Sequence, residues 1–233
     1  MRYIFSVLLL YSGSALAEYS NESELAYVQT GGNSEVQTTN AKTSNIYKWD
    51  LDQIKFGGHY LYGQSDEDVT ARNWDVNFKY ERTLSEHISV TVGEIIEGNR
   101  FTDVKARYNS DAGLKYYYVK TDPKKVFTEL SFRYAIEDRY APAGNTYDNK
   151  ARFYNEIDHH VSETVRYKLW LEYVPNFTEP DDYLINGEAS VTSILTSTFS
   201  LKVSYAGMYD NRPVSSELKN YDYNTTTAFV IKF

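Results

Sequence analysis

The sequence predicts an all-β fold, an antiparallel up-and-down transmembrane β-barrel of about 12 strands that follows an N-terminal signal peptide. Three observations lead to this prediction. Beyond residue 17, apolar side chains recur at every second position, which is the period of a strand. Short and long polar breaks alternate between these segments. The chain also has 23 tyrosines among 233 residues, a high aromatic content for so polar a sequence.

The N-terminus has the features of a Sec signal peptide. Arg2 precedes an apolar run from Tyr3 to Tyr11, and Ala15-Leu16-Ala17 follows as a small-residue cleavage site. We therefore expect residues 1–17 to be removed and residues 18–233 to form the barrel. The apolar run is short for a helix that spans a bilayer, so an uncleaved anchor is the less favoured alternative.

Composition excludes several classes of protein. The chain has no cysteine, which excludes thiol chemistry and thiolate metal sites. No apolar run long enough for a membrane helix follows the signal segment, which excludes a helical membrane protein. The net charge of -8 gives no reason to expect nucleic acid as a partner. We predict no cofactor and no resident metal.

The clear strands each have one apolar face and one charged face. The alternation is plainest where the apolar face consists of Trp74, Val76, Phe78 and Tyr80, and the polar face of Asp75, Asn77, Lys79 and Glu81. The same pattern recurs at residues 105–118, 165–173 and 199–205. Residues 36–48 are polar on both faces, and within residues 88–98 the apolar side chains switch from one face to the other near Glu94. Both segments are predicted to be strands, but the sequence does not determine their pairing register.

Two kinds of break separate the segments. The short breaks are residues 50–52, 84–86, 121–124, 162–164 and 196–198. The longer breaks are residues 30–35, 64–69, 98–104, 137–149, 176–182 and 210–222. Alternation of short and long connections is typical of outer-membrane barrels, in which the short turns face the periplasm.

Strand length favours lipid around the apolar face over a soluble sandwich or a lipocalin-like barrel. Strands of about ten residues, tilted near 45°, rise about 23 Å, close to the apolar band of an outer-membrane barrel. So many outward aromatic side chains would also overfill a soluble core. Aromatic residues near strand ends are predicted to form interfacial girdles: Trp49, Tyr80, Tyr116 to Tyr118, Tyr173, Tyr183 and Tyr223.

Charged side chains on the opposite faces are the predicted lumen lining. They are Lys79, Glu81, Lys105, Arg107, Asp111, Glu129, Arg152, Glu156, Asp158, Arg166, Lys168, Glu172, Glu188 and Lys202, together with Arg139, and they face the lumen or lie at its mouth. A strongly selective pore would carry an excess of one sign, whereas these residues are nearly balanced. The pattern indicates either a weakly selective aqueous channel or an interior closed by salt bridges.

A lipid-active hydrolase is disfavoured, and the chain is predicted not to be an enzyme. Serine needs a histidine base to act as a nucleophile. Of the four histidines, His59, His87, His159 and His160, the last two have Asp158 and Ser162 nearby in sequence. His159 and His160 alternate between faces beside a short turn, which is ordinary for an aqueous interface. An omptin-like protease is also disfavoured, because the acidic pair Asp181-Asp182 lies far from any histidine in sequence.

Acidic clusters in the longer connections suggest one further partner. They are Asp66-Glu67-Asp68, Glu137-Asp138, and Glu179 with Asp181 and Asp182. Such oxygen-rich clusters can hold divalent cations that bridge lipopolysaccharide. Outer-membrane lipid and lipopolysaccharide are the other expected contacts of a monomeric barrel.

The last strand is patterned up to the final residue. Tyr223, Phe229, Ile231 and Phe233 share a face predicted to contact lipid. An edge strand cannot remain unpaired in hydrocarbon, so we expect this strand to pair with the first one, around residues 24–29. The terminal aromatic resembles the signal that the barrel-assembly machinery reads, which makes this strand a predicted assembly signal.

Several stretches resemble one family. They are residues 24–49, 71–87, 98–118 and 209–233. They are similar to the YdiY-like salt-induced outer-membrane protein family, whose domain has no assigned function. The resemblance implies an outer-membrane barrel linked to salt or osmotic conditions and supplies no catalytic residue. The leading prediction is a narrow, weakly selective channel for small solutes or ions, and the alternative is a non-conducting envelope barrel with a salt-bridged lumen.

Overall fold

The computed structural model describes residues 17–30, 36–66, 68–140, 144–213 and 219–233. These residues form one closed antiparallel barrel, which confirms the predicted fold class. The predicted signal peptide, apart from Ala17, lies outside the described residues. Within the described part of the chain, no helix is long and apolar enough to cross a membrane.

Twelve strands build the barrel within these residues. They are β1 (Glu18–Thr30), β2 (Val36–Trp49), β3 (Asp52–Ser65), β4 (Asp68–Thr83), β5 (Ile88–Asn99), β6 (Val104–Lys120), β7 (Lys124–Arg139), β8 (Thr146–His160), β9 (Val165–Pro175), β10 (Tyr183–Ile194), β11 (Phe199–Asp210) and β12 (Tyr221–Lys232). Each strand pairs with its neighbours in sequence, and β12 pairs with β1 to close the barrel. This is the up-and-down order that the sequence predicts.

The connections follow the predicted alternation with one exception. The turns after the even-numbered strands are short and lie at one end of the barrel, here called the turn end, and the opposite end is called the loop end. The predicted longer loop at residues 64–69 is wrong, because β3 and β4 continue to Ser65 and Asp68. Both two-residue connections begin with an aspartate at positive φ, Asp50 and Asp66, a backbone conformation that aspartate tolerates in tight hairpins.

The outer face of the barrel is apolar and exposed. On β12, Phe229 is 65% exposed and Phe233 75%, whereas Ala228 and Val230, on either side of Phe229, are buried. The same alternation leaves large apolar side chains exposed on the other strands. Water does not stabilise a continuous apolar belt of this kind, but lipid does.

Strands β1 and β2 carry a polar exception on this outer face. The Tyr19 hydroxyl and the Asn21 amide both donate to Oδ1 of Asn45, each at 2.8 Å. The hydroxyls of Ser23 and Thr43 lie 3.0 Å apart. Polar groups that face lipid must find partners within the protein. These side chains satisfy one another across the β1–β2 ladder.

The closure between β1 and β12 is short. Its paired residues run from Glu22 to Leu25 on β1. The predicted pairing of the last strand with the first is confirmed, although it begins two residues before the expected range of 24–29 and ends at Leu25. Asn21 and Phe233 extend the closure with two reciprocal main-chain hydrogen bonds of 2.9 and 3.1 Å. The β8–β9 ladder, by comparison, joins residues from Phe153 to His160. The last residue of the chain is therefore part of the barrel wall.

Deletion of Phe233 is expected to lower the yield of folded barrel, because it removes two main-chain hydrogen bonds from a short closure, each worth about 1 kcal/mol. The yield can be measured after refolding into detergent as the fraction that migrates as a heat-modifiable band. Phe233→Leu keeps both main-chain bonds and serves as the control. Equal yields for the deletion and the wild-type chain would contradict the expectation.

Candidate functional site

The inward face of a single strand shows how the lumen acquires its charge. On β7, Glu129, Arg133 and Glu137 are buried, whereas Leu130 and Phe132 are about half exposed. Successive side chains of a strand point to opposite faces. The strand therefore supplies a negative, a positive and a second negative charge to the interior while it presents apolar side chains outside.

Ion pairs between strands that are not adjacent show that these charges meet inside the barrel. Among the described residues, three such pairs join strands three or four positions apart in the wall: Lys79 on β4 with Glu129 on β7, Lys42 on β2 with Glu188 on β10, and Arg166 on β9 with Glu22 on β1. Side chains from strands this far apart in the wall can touch only through the interior. The lumen is crossed by side chains at several points.

Glu129 lies at the centre of one cluster. Its side chain is 1% exposed and pairs with both Lys79 and Arg152, the latter at 2.7 Å. Arg152 also pairs with Glu172 and lies over the ring of Tyr154, 4.5 Å from its centroid. A buried carboxylate with two cationic partners has its desolvation offset by charge. We call Lys79, Glu129, Arg152 and Glu172 the central cluster.

A second buried pair lies beside the central cluster, nearer the turn end. Lys115 is 2.7 Å from Glu81, which also accepts a hydrogen bond of 2.8 Å from the Tyr117 hydroxyl. The Lys115 ammonium is 4.0 Å from the centroid of the Phe127 ring. The prediction of Tyr117 in an outer aromatic girdle is therefore wrong, because its ring points inward and is buried.

The strands next to the closure are joined by a further cluster. Lys202 on β11 lies 3.0 Å from both Glu24 on β1 and Glu188 on β10. Lys42 on β2 approaches the same Glu188 at 3.9 Å. These contacts connect strands on both sides of the closure. They add side-chain interactions where the main-chain ladder is short.

Arg166 organises the turn end of the lumen. Its guanidinium forms two hydrogen bonds to Asp158, of 2.7 and 2.6 Å, and a third of 2.9 Å to Glu22. Lys232 also pairs with Glu22, at 3.3 Å. Bidentate arginine–carboxylate contacts are strong and fix geometry. The contact from β9 to β1 therefore restrains two distant parts of the wall.

The loop end contains arginines in the same kind of arrangement. Arg107 is 2.5 Å from Glu137 and 3.1 Å from Glu97. Arg133 forms two hydrogen bonds to Asp111, of 2.7 and 2.8 Å. Positive and negative groups thus alternate along the whole length of the lumen.

The structure places the predicted lumen-lining residues on inward faces, except for Lys105. The inward residues are Lys79, Glu81, Arg107, Asp111, Glu129, Arg152, Glu156, Asp158, Arg166, Lys168, Glu172, Glu188 and Lys202. Lys105 has a side chain that is 56% exposed and pairs with Asp138 at 3.0 Å. A register shift between Val104 and Ala106 turns Val104 inward and Lys105 outward. The placement of Lys105 in the lumen is therefore wrong.

Sequence reasoning missed several inward charges. They are Glu22, Glu24, Lys42, Lys55 and Arg133. The first four lie on the opening strands, where both faces are polar and the alternation gives little contrast. Arg133 had a usable signal, since it follows Phe127, Glu129 and Ser131 at intervals of two.

Some acidic residues of the loop end have cationic partners. Glu179 pairs with Arg212 at 2.6 Å, and Asp182 with Lys150 at 3.6 Å. Among the described residues, no group of three or more acidic or histidine side chains is arranged to hold a metal ion. Glu67 of the first predicted cluster lies outside those residues.

The histidines are dispersed over the barrel. His59 contacts Asn40 at 3.1 Å, and His159 contacts the Tyr167 hydroxyl at 3.1 Å on the outward face. Within the described ranges, no histidine is hydrogen-bonded to a serine. The arrangement offers no activated serine nucleophile in this part of the chain.

A family model described as "Protein of unknown function, DUF481" matches residues 23–233. The chain belongs to this family. No curated protein matches the sequence. The family description assigns no activity.

Solved structures resemble this DUF481 chain in fold. The COG4313 outer membrane channel from Pseudomonas putida F1 has a TM-score of 0.54 and 8% identity, over 92% of this chain and 95% of that chain. The NanC porin has a TM-score of 0.52 and 12% identity, over 92% of this chain and 98% of that chain. At this level of identity the likeness concerns the fold alone. The fold is that of a porin-like outer-membrane barrel.

Glu129→Gln is expected to destabilise the barrel by about 3 kcal/mol, because it leaves the buried Arg152 and the partly exposed Lys79 without their shared carboxylate. The free energy of unfolding can be measured by urea titration in lipid vesicles. Glu179→Gln makes the same change in the exposed pair with Arg212 and is expected to have little effect. Equal effects of the two substitutions would show that the central cluster does not stabilise the fold.

Proposed function

We propose that the barrel is a narrow, weakly selective channel for small solutes or ions. The observation that carries the proposal is a wall of strands around a lumen lined with polar and charged side chains. All strands of the described residues belong to that wall. The contacts that cross the lumen are made by side chains, several of them flexible lysines. Side chains can move aside for a solute far more readily than a strand or a helix can.

The charge pattern supports weak selectivity. A ring of one sign would reject ions of the same sign. Here most lumen cations are matched by nearby carboxylates, as in the pairs of Lys168 with Glu156 and of Arg133 with Asp111. Neither sign dominates the length of the path.

The cross-lumen pairs support a narrow path. Lys79 and Glu129, from strands three positions apart in the wall, touch through the interior. Twelve strands enclose less space than the sixteen or more strands of general porins. A solute that passes must therefore be small, or must displace these side chains.

A second candidate function is a non-conducting envelope barrel. The burial of Glu129 and of the Lys115–Glu81 pair favours it, because charges this deeply packed are costly to separate. In that case the ion pairs close the lumen and the loops act at the surface. Lipid hydrolysis remains the disfavoured third candidate, and we propose no enzymatic activity.

Several further proposals accompany the channel. The apolar outer face supports insertion in the bacterial outer membrane, in contact with lipid and lipopolysaccharide. The exposed Phe229 and Phe233 support recognition of the last strand by the barrel-assembly machinery. Export by the Sec pathway, a monomeric state and a link to salt conditions are predictions from the sequence and its family resemblance.

Planar-bilayer recording of the refolded, heat-modifiable barrel is expected to show reproducible single-channel steps. The double variant Lys42→Ala/Glu188→Ala removes one contact across the lumen and is expected to raise the single-channel conductance. Glu179→Ala/Arg212→Ala removes an exposed pair at the loop end and is the control. Absence of steps from folded protein would favour the closed barrel.

A further inference from the structure

Lys55 is a lumen cation without a carboxylate of its own. On β3 its neighbours Phe56 and Tyr60 point outward and are exposed, so Lys55, at the alternate position, points inward. Lys42, Lys79 and Lys168 each form an ion pair inside the barrel. Among the described residues, no carboxylate lies within ion-pair distance of Lys55. It differs in this respect from the lysines around it.

A second positive charge stands directly beside Lys55. In the β3–β4 ladder, Lys55 is the partner of Lys79. Residues directly opposite each other in a ladder have side chains on the same face, and like charges in such a pair are destabilising. Two ammonium groups therefore enter the lumen side by side from adjacent strands.

The opposite wall brings one more lysine and one carboxylate. Lys168 on β9 and Glu156 on β8 lie within electrostatic range of Lys55 across the lumen. Glu156 is already engaged, at 3.0 Å by Lys168 and at 2.5 Å by the Tyr154 hydroxyl. It neutralises Lys168 and has little capacity left for Lys55.

The other carboxylates at this level are also shared. Glu129 serves Arg152 as well as Lys79, and Glu188 serves Lys202 as well as Lys42. Glu129, Glu156 and Glu188 thus each form ion pairs with other cations. Lys55 is therefore a positive charge that these carboxylates leave without an ion pair.

We propose that Lys55, Lys79 and Lys168 form a binding site for one oxyanion group, a carboxylate or a phosphate, of a small solute in the lumen. The proposal rests on the proposed channel function and assigns the solute class of that channel. An oxyanion between these three ammonium groups relieves the repulsion of Lys55 and Lys79. Lysines bind such groups as point charges and without fixed geometry, which suits a solute that must leave again.

The first test measures binding on the refolded barrel and does not depend on conduction. Inorganic phosphate and, separately, acetate are added at constant ionic strength, and the thermal unfolding midpoint is followed. Either anion is expected to raise the midpoint of the wild-type barrel above its value in chloride. Lys55→Gln is expected to lose that increase, while Lys55→Arg is expected to keep it. A response to phosphate alone or to acetate alone identifies which oxyanion the site takes.

Lys105→Gln is the matched control, because it removes the same charge from the outward face. It is expected to keep the anion response of the wild-type barrel. A further readout separates the proposed site from an ordinary salt bridge. In chloride, Lys55→Gln is expected to unfold at the same temperature as the wild type or higher, since it removes a like-charge contact. A lower midpoint there, or an unchanged anion response in Lys55→Gln, would overturn the proposal.

The second test uses the reversal potential in a salt gradient. The ratio of anion to cation permeability is expected to fall about twofold in Lys55→Gln and to stay unchanged in Lys105→Gln. If the barrel binds the anion but gives no current, the proposed site is supported and the proposed channel is wrong. If the barrel conducts but shows no anion response, the proposed channel is supported and the proposed site is wrong.

Discussion

The structure depends on one constraint: in hydrocarbon, every main-chain donor and acceptor must be paired within the protein. Strands can meet it only by closing on themselves, so the first and last strands must join even though they are farthest apart in sequence. The join here is short, and the final residue takes part in it. Closure also decides where polar side chains go. Alternate positions of each strand must face either lipid or the enclosed space, and the charged ones are collected inside.

Once inside, these charges become part of the framework. A buried ion is tolerated when it is paired and hydrogen-bonded, so each carboxylate has to reach a cation. Several of these cations lie on strands that are not adjacent to the strand of the carboxylate, as Arg166 on β9 does for Glu22 on β1. The lumen therefore stabilises the same closure that creates it, and side chains around Glu24 and Lys202 reinforce the wall near its shortest ladder. In the proposed channel, a solute has to pass between groups that also hold the barrel together.

The sequence was most informative where contrast between faces was strong. Period-two alternation shows which side chains of β12 face lipid, and turn residues show where each strand ends. Both features can be found within one short stretch of sequence. Apart from Arg133, the features that sequence reasoning missed depend on more than one strand. Lys105 is outward because a register shift inserts an extra residue against β7, and no single-strand pattern reveals that shift. Glu22 and Lys42 gain their importance from partners on β9 and β10, contacts that only closure creates. Tyr117 is a residue type typical of an aromatic girdle, but its hydroxyl points inward and donates to the Glu81 carboxylate.

The alternating charges of β7 bear on the fidelity of folding. A slip of this strand by one residue would exchange its two faces. Glu129, Arg133 and Glu137 would then meet lipid, while Leu130 and Phe132 would enter a region filled with ions. Charged side chains on the lipid face of a barrel each cost up to a few kcal/mol. The charges that line the lumen thus also select the register of β7, because a register shifted by one residue would be too costly to persist.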